Sequence, residues 1–201
     1  MQKGDIFVVS APSGSGKTTI CNRLLERVEG LELSISYTTR PKKSGEVDGR
    51  DYYFTDEAGF DKMVKEKEFL EYALVYGYRY GTSREVVSSI VAKGIDAMLE
   101  IDVQGGRKVK QALPEAVLVG IFPPDRVTLE QRLSGRGRDS RKEMDIRLRA
   151  AVDEMKELLS YDYLVVNDDL ERAVARMEWI VRAHRLRRDR ARLRMEKILT
   201  R

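Results

Sequence analysis

Eight residues near the start of the chain, Ala11-Pro12-Ser13-Gly14-Ser15-Gly16-Lys17-Thr18, have the types and spacing to hold a polyphosphate. Gly14 and Gly16 let the backbone curl, so that successive N–H groups point into one concavity. A helix starting at about Thr18 and running on through Thr19 adds the partial positive charge of its N-terminus. Lys17 is placed to reach β- and γ-phosphates, and the Thr18 hydroxyl to ligate Mg²⁺. Ala11 stands where the G-x-x-x-x-G-K-[ST] pattern has its first glycine. Alanine is the smallest departure from it. The plain alternative is a glycine-rich turn that binds nothing.

That chemistry requires a strand before the loop and a helix after it. The run Ile6-Phe7-Val8-Val9 supplies the strand, and residues 19–28 carry Ile20, Leu24 and Val28 at helical spacing. Further on, strands are expected at 33–36, 52–54, 69–75, 97–102, 117–122 and 163–167. Helices are expected at 57–67, 83–92, 104–113, 127–133 and 145–159, with one from Leu170 closing the chain. Strands alternating with helices imply an α/β fold with a parallel sheet and helices on both faces. The stretch 34–90 reads as hairpin-like and therefore as an inserted mixed α+β subdomain.

Composition bounds the class. The chain has 201 residues, 42% hydrophobic and 35% charged, which suits a soluble globular protein with a sizeable core. No apolar run approaches the roughly 18 residues of a membrane span, and the N-terminus lacks the apolar centre of a signal peptide. A cytoplasmic setting is expected, with no membrane partner. Cys21 stands alone, so no internal disulfide can form, and it is expected to be a packing residue. His184 is the only histidine and is expected to be exposed; with one Cys and one His, a transition-metal site cannot be assembled. The net charge of +4 hides an arginine bias over 182–201. That tail is read as a helix with Leu186 and Leu193 as a narrow apolar seam, so a homo-oligomer is left open.

Beyond the loop, six further segments occur in one order: Ser36-x-Thr38-Thr39-Arg40, Gly45-Glu46-Val47-x-Gly49-x-Asp51-Tyr52, Tyr80-Gly81-Thr82, Glu100-Ile101-Asp102-x-Gln104-Gly105, Gly135-Arg136-Gly137 and Asn167-Asp168-Asp169. Together they resemble the guanylate kinase family over residues 6–170. The resemblance implies transfer of the γ-phosphoryl of ATP to GMP, and to dGMP, with Mg²⁺. It implies a P-loop NTPase-type parallel sheet flanked by helices, one domain over 1–201. Within it the core would be 1–33, 91–125 and 151–201, the GMP-binding region 34–90 and a helical lid 126–150. By the same resemblance GMP would be bound by Ser36, Arg40, Tyr52, Glu71, Tyr80, Gly81, Thr82 and Glu100. Arg136 and Arg147 would be the catalytic arginines, with Arg132 beside them and Arg147 also near GMP. Asp102 would sit near Mg²⁺ through water, and Asn167 near the adenine.

The residue types suit those roles. A GMP phosphate needs a fork-shaped cation and neutral donors, which Arg40, Tyr52 and Tyr80 supply. Guanine offers N1–H and N2–H₂ on one edge, and a carboxylate such as Glu71 accepts both. Lys43 stands where the family usually has a second phosphate-binding arginine; it keeps the charge and loses the bidentate fork. Thr82 replaces the commoner serine and keeps the hydroxyl. Two rival readings remain: a guanylate-kinase-like phosphopeptide-binding module without catalysis, and a kinase of another phosphorylated small molecule. The intact Lys17-Thr18 argues against the first, and Glu71 with Thr82 against the second. A nucleic-acid partner would rest on the arginine tail alone and is not expected.

Overall fold

The structure, a computed structural model, describes residues 3–75, 77–134 and 141–199. In chain order its elements are β1 (Ile6–Ser10), α1 (Lys17–Arg27), β2 (Leu31–Leu33), β3 (Tyr37–Thr38), β4 (Tyr53–Phe54), α2 (Glu57–Lys65), β5 (Phe69–Val75), β6 (Tyr78–Ser83) and α3 (Arg84–Ala92). There follow β7 (Asp96–Glu100), α4 (Val103–Ala112), β8 (Val117–Phe122), α5 (Arg126–Ser134), α6 (Arg141–Leu158), β9 (Tyr163–Val166), α7 (Leu170–Arg185) and α8 (Arg188–Leu199).

Local chemistry sets many of the boundaries. Asp56, Ser83, Asp102 and Asp169 each cap a helix by accepting from a backbone N–H three residues on, at Gly59, Val86, Gly105 and Arg172. Five strands form one sheet in the order β2-β7-β1-β8-β9, with β2 parallel to β7 and β8 parallel to β9. β1 is buried along its whole length and β8 nearly so, as near-continuous apolar runs in a parallel sheet require. A second sheet, β4-β3-β6-β5, is mixed: β3 runs parallel to β4, and β6 antiparallel to both β3 and β5. The α/β class and the parallel sheet expected from the sequence are thus present, and the hairpin-like stretch holds the second sheet.

By contact, the chain divides into two compact units. The first takes Lys3–Val8 and Gly30–Val117 and so holds the mixed sheet, α2, α3 and α4. Here Phe60 stacks on Phe69 with ring centroids 4.6 Å apart, and the Arg79 guanidinium lies 4.3 Å from the Phe60 centroid. The second takes Val9–Glu29 and the chain from Leu118 onward. In it α1 meets α7, and α5 and α6 enclose Leu129, Leu133, Leu148 and Ala151 with Met144 and Met155 against them. The Tyr161 hydroxyl donates to Ser10 Oγ at 3.0 Å in its interior.

Several expectations are corrected. The strand expected at 33–36 is Leu31–Leu33, paired with Asp96 to Met98, and the next strand begins only at Tyr37 in the other sheet. α6 starts at Arg141 rather than near 145. The tail is not one helix: α7 ends at Arg185, Leu186 is its C-cap, and α8 follows from Arg188. Leu186 is 78% exposed, and the Leu193 side chain lies outside the described residues. His184 is buried rather than exposed, because it falls on the same face of α7 as Met177 and Val181. Cys21 is buried, as expected of a packing residue. Among the described residues no helix is long and apolar enough to cross a membrane.

Candidate functional site

In the second unit the loop leaves β1 at Ser10 and enters α1 at Lys17. Gly14 and Gly16 both have φ of 85°, a left-handed conformation costly for any residue with a Cβ, and the Ser15 N–H turns back to Pro12 O at 3.2 Å. Gly16 is the N-cap and has no side chain to cap the helix; no acidic residue stands in the first turn. A helix N-terminus of this kind carries partial positive charge that favours an anion. The Ser15 hydroxyl is buried without a hydrogen-bond partner, a polar atom that a bound phosphate would satisfy. Lys17 is half-buried at the first position of α1, with Thr18 and Thr19 exposed beside it.

Other expected donor-side residues lie in this unit. Arg132, in the last turn of α5, has its Cβ 3.6 Å from where a Gly14 Cβ would stand, and its Nη2 lies 3.5 Å from Asn167 O. Asn167 is buried and donates from Nδ2 to Ser15 O at 2.8 Å. Arg147, on α6, directs Nη1 to Leu133 O at 3.4 Å. Arg136 lies outside the described residues, with its flanking glycines.

The first unit gathers the expected acceptor-side residues. Arg40 follows β3; its Nη2 donates to Glu46 Oε1 at 2.7 Å and its Nη1 to Pro41 O at 2.8 Å. Its guanidinium carbon lies 5.3 Å from the Tyr52 ring centroid and 5.8 Å from that of Phe54. Glu46 holds the Arg40 charge in place, raising its pKa, and is itself lowered by that bond. Tyr52 and Tyr80 meet edge to face at 5.8 Å, and burial pushes the Tyr52 phenol up. Lys43 is exposed, and its N–H donates to Glu46 Oε2 at 2.8 Å. Ser36 O accepts from Tyr53 N–H at 2.9 Å, which ties this residue to β4.

Glu71 is the unusual group. It lies on β5, 5% exposed, opposite Thr82 of β6, whose hydroxyl donates to Glu71 Oε1 at 2.6 Å. Burial pushes its carboxyl up to about 7; Thr82 and Lys108 pull the other way, and Asp102 adds to the rise. Gly81, beside Thr82, has no room for a side chain: a Cβ there would be 2.7 Å from the Phe69 ring. Across from the carboxylate, a Cβ on Gly105 would stand 2.8 Å from Glu71 Oε2. Asp102 caps α4 through Gly105 N–H at 2.7 Å, and Glu100 ends β7 half-buried. Glu46, Gly105 and Lys108 were not singled out from the sequence. Glu46 and Gly105 sit inside the quoted segments, and their pairing with Arg40 and Glu71 depends on turn and strand geometry that spacing does not encode.

No cluster of three or more His, Cys, Asp or Glu able to hold a metal occurs among the described residues. The Thr18 hydroxyl in the second unit and the Asp102 carboxylate in the first are each hard-oxygen groups of the kind Mg²⁺ takes, its other positions being left to water and phosphate.

A strand, left-handed glycine loop and helix start of this form define a P-loop nucleotide-binding protein. The family model described as guanylate kinase matches residues 3–184. A guanylate kinase of Neisseria gonorrhoeae is 48% identical over 189 residues, covering 94% of this chain and 92% of that protein. One from Escherichia coli (strain K12) is 40% identical over 202 residues, covering 100% and 98%. The crystal structure of guanylate kinase from Anaplasma phagocytophilum superposes with a TM-score of 0.77 at 33% identity, covering 93% of this chain and 89% of that one. The chain belongs to the guanylate kinase family.

Proposed function

We propose that this member of the family transfers the γ-phosphoryl group of ATP to GMP, giving ADP and GDP. The observation that carries the choice of acceptor is Glu71, buried at 5% exposure beside the Thr82 hydroxyl. A buried carboxylate needs donors in proportion to its desolvation. Guanine N1–H and N2–H₂ provide two on one edge, and once they occupy the carboxylate the Thr82 hydroxyl can turn from Glu71 Oε1 to donate to O6. Ser36, Gly81 and Glu100 complete the acceptor set in this reading. Arg40, already held by Glu46, gives the GMP phosphate a fixed fork, with Tyr52 and Tyr80 as neutral donors and Lys43 as an outer charge.

On the donor side, the loop from Ala11 to Thr18, with Thr19 behind it, cradles the triphosphate, and Arg132 and Asn167 border it. An oxygen of the GMP phosphate attacks the γ-phosphorus while the bond to the β–γ bridging oxygen breaks, and ADP leaves with that electron pair. Lys17, Arg136 and Arg147 supply positive charge to the transferring group, whose transition state is stabilised by position and charge. Thr18 and, through water, Asp102 would hold Mg²⁺, which neutralises charge on the β- and γ-oxygens. The same reading assigns the core, GMP-binding region and lid to 1–33 with 91–125 and 151–201, to 34–90 and to 126–150, and places the enzyme in the cytoplasm.

The test is Glu71→Ala. With AMP the carboxylate of the intact protein would face an acceptor at N1 and a C2–H, so much of the discrimination is lost with it. kcat/KM for GMP should fall sharply, the GMP-to-AMP ratio should narrow, and the ATP KM should hold. An unchanged ratio would mean that another residue reads the base.

A further inference from the structure

We infer that Asn167 is a positioning residue that fixes the crest of the phosphate-binding loop, and that it serves the nucleoside triphosphate through that loop. The inference rests on the loop being the triphosphate site. Asn167 directly follows β9, and its backbone N–H donates to Phe122 O at 2.8 Å, extending the β8–β9 pairing by one residue. Its backbone is thus anchored before its side chain acts. The amide then donates from Nδ2 to Ser15 O at 2.8 Å in a buried position.

The consequence follows from the planarity of the peptide. In a trans peptide the carbonyl oxygen and the next N–H point in opposite directions. Holding Ser15 O toward Asn167 therefore turns the Gly16 N–H away from Asn167. The open side there is the concavity in which phosphate oxygens need N–H donors. Gly16 lies at φ of 85° and, being glycine, has little intrinsic resistance to a flip of this peptide. A flipped peptide would present a carbonyl oxygen to the phosphates. The amide also fills the space beside Gly16 closely: a Cβ there would stand 2.6 Å from Asn167 Nδ2. Gly14 is backed in turn by Leu133, whose Cδ2 would lie 3.3 Å from a Cβ at that position.

The experiment compares ATP with inosine triphosphate, which has the same phosphates and a different six-membered ring edge. Asn167→Ala removes the clamp; Asn167→Asp keeps its shape without the donor and serves if the alanine variant melts early. For each, kcat/KM is measured for both donors at saturating GMP, along with the KM for GMP. Both donors should lose about tenfold or more in kcat/KM, with their ratio unchanged and the GMP KM unmoved. The backbone amide resonance of Gly16 should shift on ATP addition in the wild type and shift less in the variants. A loss confined to ATP would overturn the inference in favour of base reading. Equal losses for donors and GMP would reduce Asn167 to a general structural role and overturn it too. Lys17→Met is the control: if it leaves donor kcat/KM unchanged, the loop itself is not the triphosphate site. If Lys17→Met fails and Asn167→Ala does not, only this inference falls.

Discussion

Thr82 donates its hydroxyl hydrogen to Glu71 Oε1 across 2.6 Å, strand to strand, with both side chains buried. The bond favours the ionised carboxylate, yet burial outweighs it and the carboxyl is raised from 4.5 to about 7. Near neutral pH this acid therefore sits close to half-ionised, and two guanine donors would tip it to the charged form. If Glu71 reads guanine, recognition and protonation are linked at one residue.

The first prediction is a pH dependence. Because the folded value is raised, the native state binds more protons than the unfolded chain between about 4.5 and about 7. The stability associated with the neutral acid is complete below the lower value and is lost as pH rises through the upper one. At about 1.4 kcal/mol per pKa unit, the loss is about 3 kcal/mol. Glu71→Gln should therefore gain stability relative to wild type as pH is raised across that window, measured by denaturant unfolding.

Binding should move the opposite way. Only the carboxylate accepts both guanine donors, so the KM for GMP should rise as pH falls below about 7. The GMP phosphate also titrates near 6; the quantity to read is the difference between wild type and Glu71→Gln. That difference should vanish from the KM for ATP. Parallel profiles for the two proteins would detach Glu71 from the acceptor site.

A third prediction concerns Gly105. Alanine at this helical position should favour α4 by up to about 1 kcal/mol. Its Cβ would nevertheless stand 2.8 Å from Glu71 Oε2 and 3.1 Å from Glu71 Cδ, so the carboxylate must move. In Gly105→Ala the KM for GMP should rise about tenfold or more while the ATP KM is kept. An unaltered GMP KM would show that Glu71 can shift without consequence.

The loop was legible because its glycines are demanded by backbone conformation, and Gly14 and Gly16 do take φ of 85°. Caps were half legible: Ser83 was read as the first helical residue and stands one position earlier, as N-cap. What alternation could not tell was sheet membership. Leu33 and Tyr37 lie four residues apart and belong to different sheets, a difference set by partners at Met98 and at Gly81 far along the chain. The break at Leu186 carries no glycine or proline to announce it. The burial of His184 comes from a helix face shared with Met177 and Val181, which the surrounding arginines masked. Glu71 was singled out from the sequence as a carboxylate, but its depth depends on the approach of α4 at Gly105.

The most direct test of the account is steady-state ADP release by the wild-type protein with ATP and Mg²⁺, across GMP, dGMP, AMP and UMP. A site built on buried hydrogen bonds to guanine should prefer GMP over AMP and UMP by about 10⁴-fold or more in kcat/KM. dGMP, which presents the same base edge, should remain close to GMP. Turnover of AMP or UMP comparable to that of GMP, or no ADP release with GMP, would contradict it.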